Sequence, residues 1–183
     1  MPEPQIFLDQ IHSCHDRVMT TDVMTIRRRV VESARWAVAN KNRFEYAEVR
    51  PIPLNGIVLD RGLTDSVLPV TTDCSGFVTM CAKAAGAPDP NGLGYDGQGF
   101  TGDLLRHLKP AVERSHTWRG DLVVFGPGTG NHVVVLLEGG SHVDDPKCAS
   151  HGSSADPSIF RLSELIAFFQ GQPVRYLRLI PDE

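Results

Sequence analysis

The sequence predicts an α+β fold with helices first and an antiparallel sheet after them. Two observations predict it. Apolar residues recur at helical spacing in two stretches of the first half, Ile26 to Val38 and Phe77 to Ala85. The second half instead holds short apolar runs, Leu122–Phe125 and Val133–Leu137, joined and bounded by glycine-rich turns of hairpin length.

Taken in order, residues 1–22 are an N-terminal extension of unassigned role, and 23–183 form one domain. His12, Cys14 and His15 lie together in the extension, but they lack the spaced partner pair of a zinc site. Thr25 caps a first helix reaching about Asn40, with Ile26, Val30, Ala34 and Ala37 on its apolar stripe. Arg27, Arg28 and Arg29 are expected on its solvated face. Phe44 to Pro53 is expected to be an irregular connection, broken by Pro51, Pro53 and Gly56; residues 54–70 are a loop with one short apolar segment, Ile57–Leu59, and Val70, Thr71 and Thr72 favour extended backbone. A second helix follows Asp73 and stops at Gly86. The Gly/Pro/Asn/Asp-rich stretch from Ala87 to Phe100 is a loop walling the cleft with Tyr95 and Phe100, and Thr101 caps a short helix to His107. Asp121 sits in the turn before Leu122–Phe125. A strand near Asp145–His151, a helix over Leu162–Phe169 capped by Ser163 or Ser158, and a last strand from Val174 complete the chain.

The 183 residues suffice for one domain with a core. A net charge of -4 offers no reason to expect nucleic acid or an anionic membrane as partner, and no apolar run is long enough to cross a bilayer. Met-Pro-Glu-Pro opens without the basic and apolar regions of a signal peptide, so synthesis in the cytoplasm is expected. Four cysteines without C-x-x-C spacing suggest reduced thiols rather than a disulfide framework, with Cys81 and Cys148 buried and inert.

Cys74 is the candidate for chemistry. Asp73 N-caps the helix, which puts Cys74 in the first turn, where free N–H groups and the helix dipole favour a thiolate. A nucleophilic cysteine needs a base, and His132 opens the apolar strand.

Asp-Cys-Ser-Gly-Phe at 73–77, Gly-Asp-Leu-Val-Val-Phe at 120–125 and Asn-His-Val-Val-Val at 131–135 together resemble the NlpC/P60 cell-wall peptidases, which have a papain-like fold. The likeness runs from about Thr25 to Ile180. Pro-Asp-Pro-Asn-Gly-Leu-Gly-Tyr at 88–95 and Asp-Pro-Lys-Cys-Ala-Ser-His-Gly at 145–152 look like versions carried by bacteriophages of actinobacteria. The resemblance implies Cys74 as nucleophile, His132 as general base and His151 as the orienting third residue, with His142 and Asp145 as alternatives. It implies that Tyr46 assists the oxyanion or fixes the thiol, and that Asp73 and Ser75 contact the substrate's free amine. It implies no metal and no cofactor. The implied substrate is a peptidoglycan stem peptide, most often cut between γ-D-glutamate and diaminopimelate, at the cell wall, by a phage lysin or a tail-associated enzyme working in a larger assembly. An amidase or acyl transferase on the same scaffold, and a non-catalytic virion or wall-binding protein, are the alternatives.

Overall fold

The computed structural model of the chain describes residues 23–108, 111–139, 141–153 and 155–181. The expected N-terminal extension, with His12, Cys14 and His15, lies outside them. Helix α1 covers residues 23–39, so Thr25 lies within it rather than at its cap. The other elements are β1 (Phe44–Tyr46), β2 (Val70–Thr72), α2 (Cys74–Ala85), α3 (Thr101–His107), β3 (Ala111–Val112), β4 (Leu122–Phe125), β5 (His132–Leu136), β6 (Lys147–Gly152), β7 (Ala155–Arg161), α4 (Leu162–Phe168) and β8 (Val174–Leu177).

Among the described residues the main sheet has six antiparallel strands in the order β3-β8-β4-β5-β6-β7. Its centre is the β4–β5 hairpin, with Val124 opposite Val133 and Phe125 opposite His132. Side chains alternate across a strand, so each face carries its own core. On one face α1 and α2 pack Val30, Ala34, Phe77 and Val78 against Val124, Val133 and Val135. On the other, α4 lays Leu162 and Leu165 over Val123, Phe125, Val134 and Leu136. Helices on a central antiparallel sheet is the α+β architecture expected.

Two local expectations need correction, and one unassigned stretch proves to be a strand. Residues 44–46 are not irregular: they form β1, which pairs in parallel with β2 at the stretch expected to be extended, with Tyr46 opposite Thr72. Three residues are too few for a periodic signal, and the pairing spans a long connection. Ala155–Arg161, a stretch to which the sequence assigns no element, is a strand that contains Pro157. It pairs only with β6, and an edge strand tolerates the missing proline donor. The caps of the two short helices are carboxylates acting back on the residue before the helix. Asp103 Oδ2 accepts the Phe100 N–H at 3.1 Å and Glu164 Oε2 the Arg161 N–H at 2.6 Å, so neither Thr101 nor Ser163 is the N-cap.

The basic run is also split. Arg28 stays exposed beside Glu32, but Arg27 is 1% exposed and its Nη1 donates to Asp121 Oδ1 at 2.9 Å. Asp121 is fully buried and also accepts from the Trp118 N–H at 2.8 Å, with Arg178 Nε 3.2 Å from Oδ2. It is therefore a buried ionic tie between α1, the β4 turn and the chain after β8, not merely a turn residue. Removing one member of such a network leaves charge in the interior without its counter-ion. Asp121→Ala is expected to lower the unfolding free energy by about 3–5 kcal/mol, read from urea denaturation.

Candidate active site

The parallel register of β1 and β2 delivers Tyr46 beside Thr72, and β2 runs straight into Asp73 and α2. Asp73 caps α2 as expected, accepting the Gly76 N–H at 2.7 Å and the Ser75 hydroxyl at 2.8 Å on Oδ1. Oδ2 is 2.9 Å from Arg50 Nη2, which also donates to Ser75 Oγ at 3.0 Å. A Cβ on Gly76 would fall 2.1 Å from Thr72 Oγ1, so the glycine of the Asp-Cys-Ser-Gly motif is required by close packing at the strand-to-helix corner. Gly86 ends the helix in the left-handed conformation, φ 79°.

Cys74 is 6% exposed. Its thiol faces the backbone N–H groups of Val133 and Ser75 and the Thr101 hydroxyl, all of which favour the thiolate. Burial outweighs them, and the nearby Asp73 carboxylate acts in the same direction, so the thiol pKa is raised. The expected low-pKa thiolate is thus corrected: at neutral pH Cys74 rests as a thiol and needs a base. Burial also pushes the Tyr46 hydroxyl up to about 12, with Cys74 and Asp73 adding to it, so the phenol keeps its proton and can donate. Burial holds Cys81 and Cys148 protonated, Cys148 up at about 12.

The two histidines fall on different faces of the sheet. His132 is in step with Val134 and Leu136, on the α4 side. Its ring stacks on Phe125 and Phe169, centroids 6.4 and 5.4 Å away, and Nε2 is 2.8 Å from Ser150 Oγ. His151 is in step with Ala149, on the α2 side with Cys74. It is fully buried among Phe44, Tyr46 and Phe77, its ring centroid 5.4 Å from that of Tyr46, and neither ring nitrogen has a hydrogen-bond partner of good geometry. Cys74, Tyr46, Asp73 and Ser75 are therefore brought together with His151 behind Tyr46, while the imidazole of His132 is bonded to Ser150 and not to the thiol. His132 and Tyr46 both line a cleft of about 420 Å³ that continues over Ser150, Phe160 and Phe169. The alternatives for the third residue lie elsewhere. His142 is exposed, and Asp145 accepts the Ser163 N–H at 2.9 Å and hydroxyl at 2.8 Å near the start of α4, which holds its carboxyl below the usual range.

Sequence reasoning missed three residues here. Arg50 comes from an irregular stretch, Ser150 from a strand interior, and Thr101 had been assigned a cap; none carries a local signal for the site. The described residues contain no group of three His, Cys, Asp or Glu side chains arranged to hold a metal, and no helix among them is long and apolar enough to cross a membrane.

A profile of the NlpC/P60 family matches residues 62–158, more than half of the chain and the stretch from the approach to β2 through β7. The chain belongs to the NlpC/P60 family. Among curated proteins it is similar to the peptidoglycan endopeptidase RipB of Mycobacterium tuberculosis, with 32% identity over 87 residues, 46% of this chain. The match spans only 31% of RipB. Among solved structures, the P60 domain of an antigen from M. avium paratuberculosis covers 88% of this chain and 98% of its own at 16% identity, TM-score 0.55. The peptidoglycan hydrolase RipB from M. tuberculosis covers 85% of this chain and 67% of its own at 20% identity, TM-score 0.50. These likenesses identify the fold as that of NlpC/P60 domains.

Burial and the neighbouring His151 push the His132 pKa down to about 4. In the unfolded chain the ring takes up a proton below about pH 6.5, whereas in the folded family domain it stays neutral until about pH 4. Stability is therefore expected to fall as pH drops through that window, by up to about 3 kcal/mol from this group, and His151, also held down by burial, adds in the same direction. Urea denaturation of wild type and His132→Gln at pH 7 and pH 4.5 checks this: the variant should lose less stability on acidification.

Proposed function

We propose that this NlpC/P60 protein is a cysteine endopeptidase of peptidoglycan that cleaves an amide of the stem peptide, with γ-D-glutamyl-diaminopimelate as the preferred bond. The observation that carries the reading is the Cys74 thiol in the first turn of α2, facing two backbone N–H groups and a hydroxyl, with a proton-donating Tyr46 beside it. Attack on a carbonyl by that sulfur puts negative charge on an oxygen near the helix start, where the N–H groups of the first turn and the Tyr46 hydroxyl supply donors. His132, neutral at pH 7, takes the thiol proton and returns it to the leaving amine, after which water releases the acyl-enzyme. For this the imidazole, at the first residue of β5, has to leave Ser150 and swing past the strand end from the α4 side to the thiol. The position of His151 on the thiol's own face, its ring nitrogens near the Glu45 and Thr72 backbone but without a hydrogen bond of good geometry, supports a second assignment in which His151 is the base.

The segments 88–95 and 145–152 support a place among phage-carried wall enzymes, a lysin or a tail-associated component acting at the cell wall. Amide or acyl transfer on another substrate is the neighbouring chemistry, since the Cys-His pair serves any acyl transfer.

Wild-type protein is expected to clear actinobacterial wall preparations and release new amino groups. Cys74→Ala should lose this while keeping its melting temperature, and mass spectrometry of the fragments names the bond. If Cys74→Ala clears walls as well as wild type, the cysteine mechanism fails; if neither does on several wall types, the wall-binding alternative replaces it.

The rate of Cys74 alkylation at pH 7 separates the two bases. His132→Ala should slow it about tenfold or more and His151→Ala less, and the reverse order would make His151 the base.

A further inference from the structure

Arg50 comes from the irregular segment between β1 and β2, yet its guanidinium occupies the polar end of the candidate site. Nη2 bridges Asp73 Oδ2 at 2.9 Å and Ser75 Oγ at 3.0 Å, while Nη1 donates to the Val49 carbonyl at 2.6 Å. Every strong acceptor of the Asp73–Ser75 pair is thereby engaged. Oδ1 takes the Gly76 N–H and the Ser75 hydroxyl, Oδ2 takes the guanidinium, and the Ser75 oxygen takes it as well. The Asp73 side chain is 7% exposed and that of Arg50 25%, so a ligand approaching the Asp73–Ser75 pair meets the arginine before the carboxylate.

The charge consequence follows directly. A bare carboxylate beside the nucleophile would attract an ammonium group. An ion-paired carboxylate behind a half-exposed guanidinium presents no net negative charge and repels a second cation. The planar fork also leaves N–H donors that suit a carbonyl or carboxylate oxygen.

We propose that Arg50 is a specificity-determining residue: held across Asp73 and Ser75, the residues on either side of Cys74, it favours a peptide whose nearest nitrogen is an uncharged amide over one ending in a free ammonium. Resting on the peptidase reading above, this directs the protein to stem peptides still joined through their first residue, not to trimmed peptides with free amino termini. It also departs from the free-amine contact that the resemblance implies for Asp73 and Ser75.

The test uses binding, so that it stands apart from turnover. The 183-residue chain carrying Cys74→Ala is titrated by calorimetry with a synthetic alanyl-γ-D-glutamyl-diaminopimelate peptide, its N-terminus either acetylated or free. The acetylated form should bind at least as tightly as the free amine. Adding Arg50→Met, which keeps the length of the side chain and uncovers Asp73, should shift the preference toward the free amine by about tenfold or more. Adding Arg50→Lys, which keeps the charge, should hold the original preference. Tenfold tighter binding of the free amine by Cys74→Ala protein with Arg50 intact overturns the proposal, as does an unchanged ratio in Arg50→Met or failure of both peptides to bind. Wall clearing by wild-type protein is read separately, so loss of the hydrolase reading is distinguishable from loss of this one.

Discussion

The carboxylate of Asp73 is the constraint on which the site depends. One oxygen closes the first turn of α2 through the Gly76 N–H and holds the Ser75 hydroxyl; the other holds Arg50. An N-cap is ordinarily a matter of helix stability. Here it also sets the direction in which α2 leaves β2, hence where the Cys74 sulfur points, and the absence of a side chain on Gly76 lets the corner close on Thr72. The same carboxylate works against the thiolate electrostatically, and Arg50 offsets part of that charge. One short side chain thus links the backbone geometry of the nucleophile, its protonation and the placement of the Arg50 guanidinium.

The sheet supplies the second constraint. With a period of two, neighbouring residues on a strand serve different cores. β5 gives Val133 and Val135 to the α2 side and Val134 and Leu136 to the α4 side, and His132 follows the latter. β6 puts Ser150 beside His132, and His151 beside Tyr46 and Phe77. Two imidazoles that are nearly interchangeable as letters therefore have different environments. One is bonded to a hydroxyl and lines a cleft; the other is enclosed by aromatic rings. Burial keeps both neutral, the state a general base needs.

Membership in the NlpC/P60 family and the physical reading of the site bear on different questions. The family match establishes what kind of domain this is, and relatives under a quarter identical in sequence share its fold. The arrangement around Cys74 belongs to this chain. Arg50 across Asp73, Ser150 on His132 and Thr101 facing the thiol are its particular contacts, and all three arise where segments distant in sequence meet.

The sequence by itself determined the elements whose signals are local. The apolar stripes of α1 and α2, the Asp73 cap, the Gly86 stop and the β4–β5 hairpin were legible because spacing, capping chemistry and turn residues act within a few positions. So were the candidate nucleophile and its motif. Tertiary structure alone decided what depends on distant partners. It paired β1 with β2, made Ala155–Arg161 an edge strand despite Pro157, and buried Arg27 with Asp121 where a charge run looked solvated. It also decided the protonation of Cys74, since a helix start favours the thiolate but the packing above it removes the water that would stabilise the charge. Local sequence encodes backbone preference; desolvation, ion pairing and the face a histidine occupies are properties of the assembled chain.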